Sequence, residues 1–178
     1  MEWHEAVKIV EPYVVRIETP AGYGTGFLFL YNESHSVCGI ATAAHVVSHA
    51  DQWQEPVRIV HDASMDQMFL REQDRVIYCQ AKNDSAVILI SPGKLQFPKE
   101  LIPLIESDRG LRIGADVAWL GYPAMASSTL SFFAGNISAR DEDMHAYLLD
   151  GVAINGVSGG PVFHRGTDGV EIIGTISA

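Results

Sequence analysis

Apolar residues along this chain come in short bursts, interrupted every few positions by Gly, Pro, Asn or Asp. Such bursts fill Tyr13 to Ile17, Phe27 to Leu30, Val57 to Val60, Val76 to Cys79 and Val87 to Ile90. Their size predicts β-strands. The rhythm resumes after Pro103, with Val117 to Leu120, Leu130 to Phe133, Tyr147 to Leu149, Val162-Phe163 and Ile172 to Ile176. Helical spacing is confined to Glu2 to Val10 and a turn at Ala44 to His49. Many short strands with little helix predict an all-β chain built as a barrel or sandwich. Between the two groups, the stretch from Ser91 to Glu100 holds Pro92, Gly93 and Pro98, and these residues suit a connector rather than a sheet interior. The predicted division is residues 1–92, a connector over 93–106, and residues 107–178. There is no strong internal repeat and no low-complexity segment.

With 178 residues and 47% hydrophobic content, the chain can bury a substantial core, so disorder is a poor reading. A formal charge of −10 argues against nucleic-acid or anionic-membrane partners, which require clustered Lys and Arg. No window reaches the apolar length of a membrane helix. The first residues, Met1-Glu2-Trp3-His4-Glu5, carry neither a basic leader nor an apolar stretch of signal-peptide length, which predicts a cytoplasmic location. Cys38 and Cys79 both fall in apolar runs and read as small core residues; spacing alone does not say whether they pair.

The chemistry concentrates in three segments. Gly156-Val157-Ser158-Gly159-Gly160-Pro161 sets a serine among glycines, where a tight turn can leave backbone N–H groups facing a substrate. A hydroxyl is a weak nucleophile and needs a base, a group that orients the base, and donors for the developing oxyanion. Upstream, Thr42-Ala43-Ala44-His45 ends one apolar run with a histidine, and Asn83-Asp84-Ser85-Ala86 opens another with an aspartate. Gly-x-Ser-x-Gly also matches the nucleophile elbow of α/β-hydrolases, whose order is Ser, acid, His. After Ser158 only His164 and Asp168 could complete that set, in the wrong order and within one hairpin. His49 follows His45 at helical i,i+4 spacing, but no third metal ligand stands out. No metal and no cofactor are therefore expected. His4, His35, His61, His145 and His164 read as solvent-facing or structural.

In the order His, Asp, Ser these segments resemble the chymotrypsin-like (trypsin-like) serine protease family, particularly its bacterial branch related to the high-temperature-requirement proteases. Gly24-Thr25-Gly26-Phe27-Leu28-Phe29 resembles the family's strand before the histidine, and Ile172-Ile173-Gly174-Thr175-Ile176-Ser177 the strand after the serine. The resemblance implies two antiparallel β-barrels of the six-stranded type, with His45 and Asp84 on the first, Ser158 on the second and catalysis between them. It implies His45 as general base, Asp84 as its orienting acceptor, Ser158 as nucleophile, and the N–H groups of Gly156 and Ser158 as the oxyanion hole. Ser177 falls where the family has a serine that hydrogen-bonds the aspartate. Val152, Ala153 and Ile154 fall in the primary specificity pocket and, with Ser177, are the expected substrate-binding residues. That segment has no acid to select Lys or Arg, so small to medium aliphatic side chains are expected at the cleavage position. Asp150 would change this if the register shifted.

Two departures from the family pattern alter the picture. Val157 stands where digestive proteases carry an aspartate that pairs with a newly cut N-terminus. Activation by such a cut is therefore not expected, and the oxyanion loop is either preformed or ordered by substrate, an oligomer partner or a neighbouring domain. Second, Ala178 follows directly on Ser177, whereas family members continue with a pocket wall and a further strand. The second barrel is thus expected to be incomplete and open to a segment or partner chain that completes it. Two functions follow: a serine endopeptidase acting on protein or peptide substrates, or a catalytically silent protease-fold module that binds partners.

Overall fold

Each apolar run is too short to bury itself, and pairing gathers them into two antiparallel sheets. The computed structural model describes residues 1–106, 109–167 and 169–178; Asp168 lies outside the described residues. Strands β1 (Val14–Thr19), β2 (Gly22–Tyr31), β3 (Cys38–Ala43), β4 (Val57–His61), β5 (Asp66–Leu70), β6 (Arg75–Gln80) and β7 (Ser85–Ile90) form a seven-stranded sheet in the order β5-β4-β1-β2-β3-β7-β6. Strands β8 (Asp116–Gly121), β9 (Ser131–Asp141), β10 (Ala146–Asp150), β11 (Pro161–Arg165) and β12 (Val170–Thr175) form the second, in the order β10-β9-β8-β11-β12. The architecture is the expected all-β one: two curled antiparallel sheets of chymotrypsin-like type, the second incomplete.

The first sheet has one strand more than the six-stranded type implies. Its β5 is Asp66-Gln67-Met68-Phe69-Leu70, whose short apolar run Met68-Phe69-Leu70 is absent from the predicted strands and of which only Leu70 is buried. Its order comes from pairing with β4, from Val57 opposite Leu70 to His61 opposite Asp66. Cys79 also corrects the sequence reading. It is an exposed free thiol on β6, whereas Cys38 is a buried free thiol on β3.

Two helices pack on this frame. Helix α1 (Trp3–Val10) buries Ala6 and Val10. Its Trp3 ring meets Phe163 of the second sheet at 5.9 Å and carries the Arg165 guanidinium at 3.8 Å. Helix α2 (Ala44–Gln52) is longer than the expected turn and buries Ala44, Val47 and Ala50 on one face. The buried Arg75 guanidinium donates to the carbonyls of Leu70 at 3.0 Å, Ala50 at 3.2 Å and Glu55 at 2.6 Å. At the Ala50 carbonyl, which also accepts from Glu55 N at 2.8 Å, the cation faces the negative end of the α2 dipole. The helix that carries His45 in its first turn is thereby fixed at its far end. No helix among the described residues is long and apolar enough to cross a membrane.

His61 is fully buried, and both ring nitrogens are used. Nε2 lies 2.8 Å from Pro12 O and Nδ1 2.9 Å from Ser64 Oγ. A carbonyl only accepts, so Nε2 carries the proton and Nδ1 accepts from the Ser64 hydroxyl. Burial pushes the His61 pKa down, opposed by the Pro12 carbonyl and by Asp62 and Asp66. A histidine whose folded pKa lies below its unfolded value withdraws stability as pH falls below that unfolded value. We expect unfolding free energy to drop below about pH 6.5, by up to about 1.4 kcal/mol per pH unit from this group. Urea titrations of the wild type and His61→Gln between pH 7 and pH 5 check this. The variant should have the shallower slope, and equal slopes would remove His61 from the account.

Candidate active site

Helix α2 begins without a capping side chain of its own, because Ala43 stands at the N-cap. Asp84 supplies the cap from the turn before β7. Its carbonyl accepts from Ala44 N at 3.0 Å, and its Oδ1 accepts from His45 N at 2.9 Å. The second carboxylate oxygen, Oδ2, lies 2.7 Å from His45 Nδ1 and accepts from Ser177 Oγ at 2.5 Å. To reach all of these, Asp84 takes a left-handed backbone with φ of +50°, a conformation Asp tolerates better than most residues. The carboxylate fixes the His45 ring so that Nδ1 is the protonated nitrogen and Nε2 is left as the basic one. The imidazole is half exposed, and no described residue bonds to Nε2.

The glycine turn is threaded between the two sheets. Gly156 has φ of +93°, and a Cβ there would lie 2.4 Å from Tyr122 O and 2.7 Å from the Tyr23 ring. Gly159 has φ of +89°, and its Cβ would lie 2.1 Å from Thr25 O. Side chains are therefore excluded at both positions. The turn's N–H groups divide into used and free. Val157 N donates to Ile154 O at 3.0 Å, Gly159 N to Ile176 O at 2.7 Å, and Gly160 N to Val157 O at 3.0 Å. The N–H groups of Gly156 and Ser158 find no acceptor among the described residues. Val157 is fully buried in a cluster with Val117, Trp119, Ile137, Val162 and Ile176, an apolar anchor beneath the turn.

Ser158 is buried, and its Oγ donates to the main-chain oxygen of Ala178 at 2.9 Å rather than to His45. Of the expected substrate-binding residues, Ala153 and Ser177 line a cavity of about 560 Å³ that also touches Trp119, Ile173 and Ile176. Val152 does not line it and is exposed, while Ile154 packs against the Val157 cluster. The cavity wall carries no Asp, Glu, Lys or Arg among the described residues. His49 bonds to Glu55 Oε2 at 3.1 Å. Among the described residues no group of three or more His, Cys, Asp and Glu is placed to hold a metal ion.

Thr25 is the residue that the sequence reading leaves without a role. It is fully buried; its N–H donates to Ser158 O at 2.8 Å and its carbonyl accepts from Thr42 Oγ1 at 2.7 Å. Its hydroxyl donates to Gly156 O at 2.8 Å and accepts from Tyr122 N at 3.0 Å. A Thr beside a motif glycine was the available signal, but the partners of its hydroxyl are more than 90 residues away.

Burial raises the Asp84 pKa, and the donors from Ser177, the His45 N–H and the His45 ring outweigh it, leaving the carboxyl below its ordinary value. A depressed carboxylate contributes stability above its unfolded pKa and loses it as pH falls through its folded one. Ser177→Ala should therefore lower stability at pH 7 by about 1 kcal/mol, with the difference vanishing in acid. It should also raise the Asp84 titration midpoint followed by carboxyl NMR. An unmoved midpoint would mean that the Ser177 bond does not hold in solution.

The described geometry matches known proteins at two levels. The family described as Trypsin-like peptidase domain matches residues 24–170. Among solved structures, Deg5 superposes with a TM-score of 0.68 at 20% identity, over 98% of this chain and 91% of that one. A serine endoprotease from Yersinia pestis gives 0.67 at 19% identity, over 98% of this chain and 62% of that one. The inactive form of a serine-to-alanine mutant of Rv3671c from M. tuberculosis gives 0.61 at 21% identity, over 97% and 84%. At such identities these structures speak for the fold. No curated protein sequence matches significantly. With residues 24–170, most of the chain, matched by the family and the fold shared, the chain belongs to the trypsin-like peptidase family.

Proposed function

We propose that this chain is a serine endopeptidase, hydrolysing peptide bonds through an acyl-enzyme on Ser158. The observation that carries the reading is the pairing of two unused N–H groups, Gly156 and Ser158, with a histidine already oriented by a carboxylate. Ser158 Oγ attacks the scissile carbonyl carbon, and its proton passes to His45 Nε2. Asp84 stabilises the imidazolium through Nδ1–H. The carbonyl oxygen, now an oxyanion, accepts from Gly156 N and Ser158 N. The imidazolium then protonates the leaving amine as the C–N bond breaks, and water repeats the sequence on the ester. Attack first requires the Ser158 hydroxyl to leave Ala178 O and bond to His45 Nε2 instead.

The uncharged cavity beside Ala153 and Ser177 supports small to medium aliphatic side chains at the cleavage position. The outer edge of β12 is met at Ile172 by the segment from Pro103 to Ile105, whereas the outer edge of β10 has no strand partner among the described residues and suits strand addition from a neighbouring segment or a partner chain. Two free thiols fit a reducing, cytoplasmic setting. The second reading, a silent binding module, is favoured by one observation, the Ser158 bond to Ala178 in place of His45.

Labelling with a fluorophosphonate probe separates the two. An endopeptidase should label at Ser158, Ser158→Ala should abolish labelling, and His45→Ala should slow it by about 10³-fold or more. A folded wild type that stays unlabelled would make the binding module the better reading.

A further inference from the structure

A trans peptide holds its C=O and N–H on opposite sides, so fixing the carbonyl also aims the N–H of the next residue. Each peptide around the nucleophile is fixed this way. Asn155 O accepts from Ala124 N at 2.7 Å, which turns Gly156 N–H to the other side of the turn. Val157 O accepts from Gly160 N at 3.0 Å, which does the same for Ser158 N–H. The peptide between them has its carbonyl, Gly156 O, held by Thr25 Oγ1 at 2.8 Å and its N–H held by Ile154 O at 3.0 Å.

This central peptide is the vulnerable one. Gly156 has no Cβ to restrict it, so its own backbone does not favour the observed φ of +93° over negative values. Burial of Val157 anchors the turn in position but leaves the peptide plane free to rotate about the flanking bonds. Thr25 reaches it from β2 of the opposite sheet, and its one hydroxyl proton goes to Gly156 O. The oxygen of the same hydroxyl accepts from Tyr122 N. Tyr122 leads through Pro123 into Ala124, whose N–H holds Asn155 O. One buried hydroxyl thus braces both the central peptide and the segment that fixes its neighbour.

We propose that Thr25 is a positioning residue whose hydroxyl, acting across the two sheets, sets the oxyanion-binding conformation of residues 155–158 in the free chain. The inference rests on the reading of this turn as an oxyanion site. It deepens that reading by naming what orders the site without substrate, partner or N-terminal cleavage.

Thr25→Val keeps the branched shape and removes the hydroxyl; Thr25→Ser restores it. With a fluorophosphonate, the inactivation rate constant of Thr25→Val should fall about 10- to 100-fold, with the probe's dissociation constant within about twofold and Thr25→Ser close to wild type. A loss of general stability would not reproduce that split or that rescue. Wild-type labelling kinetics in Thr25→Val would overturn the proposal. Independently of activity, exchange of the Val157 amide, read by NMR, should quicken about five- to tenfold in Thr25→Val and not in Thr25→Ser. Equal exchange in both would also overturn it. If the wild type does not label at all, the endopeptidase reading fails, while the exchange comparison still decides the role of Thr25. Should Thr25→Val fail to fold by circular dichroism, Thr25→Ala, which only removes atoms, takes its place in both measurements.

Discussion

Everything at the site hangs on where the Asp84 carboxylate is placed. One group closes the open N-terminus of α2, orients the His45 ring and receives Ser177 from the strand end of the second sheet. Helix termini carry unpaired N–H groups and a positive partial charge, so a carboxylate is stabilised where a histidine in the first turn needs an acceptor. Capping and ring orientation are thus the same interaction. The left-handed backbone of Asp84 is the local strain that permits it, compensated by four donors converging on one residue. Because Ser177 belongs to the other sheet, the carboxylate also helps to set how the two sheets meet.

The second joint between the sheets is made of backbone. Thr25 N–H holds Ser158 O, and Gly159 sits so close to Thr25 that no side chain fits. Beneath them, Val157 fills the core of the second sheet. An ion pair at this depth would have to repay the desolvation of both charges. An apolar residue holds the turn without that penalty. It fixes only position, however, and the direction of each peptide is left to hydrogen bonds.

Much of this was legible in the sequence, and the limits have physical causes. Strands such as Val87 to Ile90 and Val117 to Leu120 bury alternate or successive apolar side chains, and burial is what hydropathy reports. Strand β5, with only the short apolar run Met68-Phe69-Leu70, was passed over, and edge pairing with β4 rather than burial orders it. Cys79 was misjudged for the same reason, since a thiol in an apolar run on edge strand β6 faces out. Short motifs singled out His45, Asp84, Ser158 and Ser177, and the structure brings His45 and Ser177 together on the Asp84 carboxylate. Ser158 bonds to Ala178 O and not to His45. Thr25 was invisible as a contributor because its hydroxyl bonds to residues distant in sequence, and a motif read along the chain carries no information across it.

The Ser158 bond to Ala178 is best weighed against what is already built. Turning a hydroxyl about one side-chain bond exchanges one neutral hydrogen bond for another, a change of about 1 kcal/mol in either direction. Redirecting the Gly156–Val157 peptide plane would break its bonds to Thr25 Oγ1 and Ile154 O together. An oxyanion site gains its effect from donors that need no reorganisation at the moment of reaction. On the proposed reading the two donors, Gly156 N–H and Ser158 N–H, are already directed by the bonds of the neighbouring carbonyls, while the Ser158 hydroxyl is directed to Ala178 O and not to His45.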